Sequence, residues 1–97
     1  MRHLRLQGKV VAVEPTSESF VDEHGSRQTR YVFTVEITGF SKRTLFSEPT
    51  TSVEKLIGKK VKTRRFCFHD WHLKIGSRIT LDPAETEAAL AGKTDLG

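Results

Sequence analysis

The sequence contains one cysteine, Cys67, so no disulfide can form within the chain and the fold must be held by packing and hydrogen bonds. A chain with that thiol content suits a reducing compartment. No apolar run approaches the roughly 20 residues that a membrane-spanning helix needs. The start, Met1-Arg2-His3-Leu4-Arg5-Leu6, has no apolar signal segment. A soluble, cytoplasmic protein with no membrane partner is therefore predicted. There is also no glycine-rich phosphate loop, no paired Cys-x-x-Cys element, no internal repeat and no low-complexity tract. The chain thus carries no recognisable phosphate-loop, paired-cysteine or repeat signature.

What is present fits one small domain. Of 97 residues, 36% are hydrophobic and 29% charged, enough for a modest core and too little for a second domain. Sixteen Lys and Arg against twelve Asp and Glu give a net charge of +4. With a pI near 9.5, that balance favours anionic partners.

Short segments rich in β-branched residues dominate the pattern. Leu4 to Glu14 reads as a first strand, closed by Pro15. Phe20-Val21 reads as a second short strand entering the turn Asp22-Glu23-His24-Gly25, with Gly25 supplying the positive φ. From Arg30 to Phe40, Tyr31, Phe33, Val35 and Ile37 alternate with Arg30, Thr34, Glu36 and Thr38, the period of a half-buried strand. Gly39 suits a bend or bulge, and residues 43–47 make a further strand ending before Pro49. Residues 50–58 form one or two helical turns ended by Gly58, connecting to a basic strand. Strict alternation there sets Val61 and Thr63 opposite Phe66 and Phe68, so a bulge near Arg64-Arg65 is predicted. A turn at Gly76 precedes a last strand with Ile79 and Leu81 inward. Asp82-Pro83-Ala84-Glu85 combines an N-cap, a first-turn proline and a third-position glutamate, predicting a helix over about 83–91 with 93–97 as a short tail.

Such a series predicts a mainly β fold with a terminal α-helix: a small antiparallel barrel of five or six strands with a short connector helix. In architecture it resembles OB-like and SH3-like barrels. No motif spacing names a family, so this likeness transfers no function.

The segment Lys59-Lys60-Val61-Lys62-Thr63-Arg64-Arg65-Phe66-Cys67-Phe68-His69 carries five cations and then turns aromatic. Cations attract phosphate oxygens and exposed rings stack on unpaired bases, the composition of a single-stranded nucleic-acid groove. Lys60, Lys62, Arg64 and Arg65 are the candidate phosphate contacts, joined by Lys42, Arg43 and Lys55 if the strands converge. Phe40, Phe46 and Trp71 are the rings with prospects of exposure, Phe46 and Trp71 being the stacking candidates, while Tyr31 and Phe33 belong to the core. The plain counter-reading is a sheet edge kept monomeric by like charges.

Other chemistry is poorly supported. Cys67, His69 and His72 carry metal-ligand atoms, but a closed zinc site needs four ligands, so no metal or other cofactor is predicted. Cys67 beside His69 has no orienting third group, and Ser17, Ser19 and His24 form no triad, which argues against an enzyme. Glu14, Glu18, Asp22 and Glu23 gather near the first hairpin while cations gather over 55–65, so the molecule is electrically polarised.

The leading expectation is a non-catalytic module that binds single-stranded DNA or RNA. The alternative is a protein-interaction adaptor or accessory subunit docking a protein partner through a sheet edge or the terminal helix. That helix sets Ala84, Ala88 and Ala91 along one stripe with Leu90 nearby, suited to packing on its own barrel.

Overall fold

The computed structural model describes residues 5–41, 54–67 and 75–97. Two long strands, β1 (Arg5–Val21) and β2 (Arg27–Ser41), form a hairpin, and β3 (Lys60–Cys67) and β4 (Arg78–Thr80) flank it. All pairings are antiparallel and the order is β3-β2-β1-β4. The protein is thus mainly β, an open four-stranded sheet with one short helix, α1 (Pro83–Leu90). Among the described residues neither a closed barrel nor a fifth strand is seen. The predicted strand over 43–47 and the first part of the 50–58 connector lie outside the described residues. No helix among the described residues is long and apolar enough to cross a membrane.

The hairpin tip forms where glycine and aspartate predict it. Gly25 has φ 81°. Asp22 Oδ1 accepts the backbone N–H of His24 and of Ser26, both at 2.9 Å, closing the turn locally. Gln28 Nε2 donates to the other oxygen at 3.1 Å.

Phe33, Val35 and Ile37 of β2 are buried with Leu6 and Val10 of β1, Val61 and Cys67 of β3, Ile79, Leu81 and Ala89. This inner face is the core side, and α1 lies against it. The helix begins with the predicted capping box: Asp82 accepts from the Glu85 N–H, and Glu85 accepts from the Asp82 N–H. Thr86 Oγ1 accepts the Leu6 N–H at 3.2 Å, and the Leu81 N–H donates to Leu6 O at 2.8 Å, tying both ends of the chain's described core together.

Four expectations are corrected. Pro15 does not close the first strand, because β1 runs on to Val21 through an irregularity between Pro15 and Ser19. There Thr16 Oγ1 donates to Arg30 O at 2.7 Å, and a bulge tolerates a residue without an N–H. The separate strand at Phe20-Val21 is accordingly the end of β1. The bulge near Arg64-Arg65 is absent, since β3 pairs with β2 in unbroken register. Alternation instead turns Val61, Thr63, Arg65 and Cys67 inward and leaves Phe66 exposed, because Glu85 of α1 receives Arg65 on the core side. Lastly, α1 buries Glu85, Thr86 and Ala89, while Ala84 and Ala91 are exposed. Hydrogen bonds to Thr63, Arg65 and Leu6 choose that face.

The bend suggested at Gly39 is present: Gln7 pairs with Gly39 and Gly8 with Ile37, leaving Thr38 as the extra residue. A second shift makes Val11 extra on β1, so Val10 and Val13 both meet the inner face.

Candidate nucleic-acid interface

With 61, 63, 65 and 67 turned inward, the alternation of β3 directs Lys60, Lys62, Arg64 and Phe66 to the opposite, outer face. Antiparallel register then sets their neighbours. Lys60 pairs with Glu36, Glu36 with Lys9 and Lys9 with Arg78, a charged row crossing all four strands. The next rows run Lys62 to Thr34 to Ala12, then Arg64 to Val32 to Glu14. Lys9, Lys60, Lys62 and Arg78 are exposed. None of them joins an ion pair among the described residues.

Rings gather at the hairpin end of this face. Phe20 and Phe66 are 47% and 46% exposed and meet edge to face, with centroids 5.1 Å apart. The Arg30 guanidinium carbon stands 5.9 Å from the Phe66 ring centre while Arg30 Nη1 contacts Glu18 at 2.9 Å. Because β3 enters at the Glu36 end and leaves at the Thr29 end, the unpaired lysines and this aromatic pair occupy opposite ends of one surface.

The tail shapes one margin of it. Lys62 N–H donates to Thr94 O at 2.7 Å, and Leu96 N–H donates to Lys62 O at 2.8 Å, so residues 94–96 cover the edge of β3 at Lys62. Arg64 takes Asp95 with both nitrogens, at 2.5 and 3.2 Å. The Arg64 guanidinium, helped by the Gly97 N–H and by the charge of Lys62, holds the Asp95 carboxyl below its ordinary range. Asp95 in turn holds Arg64 more firmly protonated.

Arg65 leaves the group. Its Nη2 contacts Glu85 Oε1 at 2.6 Å, and Glu85 also accepts the Thr63 hydroxyl, so this cation belongs to the junction of sheet and helix. Lys55 is exposed in the turn before β3. The structure therefore brings Lys60, Lys62 and Arg64 onto one face and separates Arg65 from them. Lys42, Arg43, Phe46 and Trp71 lie outside the described residues, as do His69 and His72 of the candidate metal cluster. Cys67 is buried in the core. Among the described residues no group of three or more His, Cys, Asp or Glu is placed to hold a metal. Phe40 and Tyr31 are half-buried against the core.

Sequence reading missed Lys9, Arg78, Phe20 and Phe66 as surface partners. Lys9 had a local signal, its alternation with Leu6, Gly8 and Val10, but only strand order shows that Arg78 and Lys9 are neighbours. No family model, curated protein or solved structure matches this chain.

Proposed function

We propose that the outer sheet face binds single-stranded nucleic acid without catalysing a reaction. The observation that carries this reading is the shared face of unpaired Lys60 and Lys62 with the exposed rings of Phe66 and Phe20. Lysines on such a surface neutralise phosphates and release counterions, and rings accept bases by stacking without regard to sequence. Arg64 joins the cations when a phosphate replaces Asp95, an exchange between two exposed anions. Glu36, set between Lys60 and Lys9, divides the positive charge into two patches and disfavours a uniform polyanion track through that row.

The proposal includes a cytoplasmic setting and closure of the sheet towards a small OB-like or SH3-like barrel of five or six strands. Supporting the closure, Arg65 Nη2 of β3 reaches the Thr80 carbonyl of β4 at 3.4 Å, so the two outermost strands approach across the inner face.

Fluorescence anisotropy with short labelled single-stranded and duplex oligonucleotides, over a salt series, tests the function. Binding should weaken with salt and with Lys62→Glu, with thermal unfolding unchanged by the substitution. Absence of binding at low ionic strength would remove this reading and leave the protein-interaction adaptor in its place.

A further inference from the structure

Where β1, β2 and β4 meet, the outer face sinks into a concavity of about 690 Å³. Its size falls within the roughly 300–1,000 Å³ typical of small-ligand sites. Gln7, Lys9, Thr38, Arg78 and Thr80 contribute polar groups to the lining.

The placement of its cations is built into the sheet. Lys9 and Arg78 are direct cross-strand partners, so their side chains leave adjacent backbone positions on the same face. Backbone hydrogen bonds continue this pairing beyond β4, Val10 N–H to Ser77 O at 2.9 Å and Gly76 N–H to Val10 O at 2.7 Å. Two like charges held side by side repel, and a doubly charged anion between them removes that repulsion. Glu36 is the acidic residue facing Lys9 from β2, and it lies on the side away from Arg78.

We infer that this concavity binds the phosphate monoester of a nucleotide, with the phosphate between Lys9 and Arg78. Arg78 supplies planar paired donors, Lys9 a point charge, and the Thr80 hydroxyl a further donor within the same lining. A terminal nucleotide of a bound strand and a free nucleotide present the same chemistry. In its strand-end form the inference rests on the nucleic-acid reading above, as a subsite that grips the end of the strand.

The test combines two probes with the whole chain. A nucleoside monophosphate is titrated while backbone amide NMR signals are followed. Anisotropy is measured with oligonucleotides carrying a terminal phosphate at one end, at the other, or at neither. Supporting results are mononucleotide-induced shifts at residues 7–9 and 78–80, or about fivefold or greater tightening by one terminal phosphate. Arg78→Glu should abolish whichever effect is seen, whereas Lys62→Glu should weaken all oligonucleotides alike. Shifts without a terminal-phosphate effect identify the free nucleotide as the source, and the reverse identifies the strand end. Oligonucleotide binding with neither effect overturns the subsite and spares the sheet-face proposal. Mononucleotide shifts with no oligonucleotide binding do the opposite. Neither probe binding removes both.

Discussion

Arg64 and Arg65 are adjacent on β3, yet Arg64 reaches a carboxylate on the outer side that is 57% exposed, and Arg65 reaches one on the core side that is 10% exposed. The chemistry of the two pairs is the same and the surroundings differ. Around Asp95, water screens the attraction and can take either partner. Around Glu85, the carboxylate has given up water and depends on Arg65, the Thr63 hydroxyl and the Asp82 N–H to replace it. Arg65 is therefore committed to joining helix to sheet, while Arg64 is available for exchange with a ligand. The difference separates a structural cation from a candidate binding cation within one dipeptide.

The largest expected effect tests the inner pair. Glu85→Ala removes the acceptor shared by Thr63, Arg65 and the N-cap, and should cost about 2–3 kcal/mol of unfolding free energy. Chemical denaturation measures it against Asp95→Ala, for which a clearly smaller loss is expected. Equal losses would break the comparison between the two faces.

How far this arrangement could be read from the chain depends on the range of the forces that set it. The hairpin turn, the alternation of β2 and the capping box of α1 depend on contacts within a few residues, and each appears at the predicted place. The direction of Arg65 depends on Glu85 arriving from another element, so a bulge seemed necessary to reconcile Val61 and Thr63 with Phe66. Pro15 suggested a stop because its compensation, the Thr16 hydroxyl on the Arg30 carbonyl, comes from the neighbouring strand. The same division holds for the candidate site. The run of cations on β3 was visible as composition, whereas the row from Lys60 to Arg78 exists only through the order β3-β2-β1-β4.

Within the outer face, rings and cations should separate by their response to salt. Phe66→Ala removes one stacking surface and should weaken single-strand binding by about 1–2 kcal/mol with little change in the salt slope. Lys62→Glu should instead flatten the slope by about one phosphate contact. Anisotropy over a salt series reads both, and a Phe66→Ala variant with wild-type affinity would remove the aromatic pair from the interface.

Releasing Arg64 is a smaller change in the same measurement. Asp95→Asn keeps the side-chain size but removes the charge that occupies the guanidinium. The salt slope should steepen by about one contact, since one more cation can meet phosphate. An unchanged slope would mean that Arg64 remains on the tail even without the charge, and would place it with Arg65 among the structural cations.

The smallest expected effect is in acid, where Asp22 and Asp95 make the comparison from the carboxylate side. Asp22 is held below its ordinary range first by the Gln28 side chain, then by the backbone N–H groups of Ser26 and His24. Asp95 is held there mainly by Arg64. For a depressed carboxylate, the unfolded chain binds the proton more readily than the folded one. Its stabilisation is therefore complete above the ordinary aspartate value of about 3.9 and is lost as pH falls through the lower folded value. The hairpin turn and the tail should loosen below about pH 4, with Asp95 exposed, Asp22 only partly buried and the loss correspondingly small. Carboxyl-carbon NMR titration separates their causes: Arg64→Ala should return the Asp95 midpoint towards the ordinary value and leave Asp22 in place, while Gln28→Ala should do the reverse. If one substitution moved both midpoints, the turn and the tail would share a common electrostatic field, and the division into private partners on which the two-face comparison depends would fail.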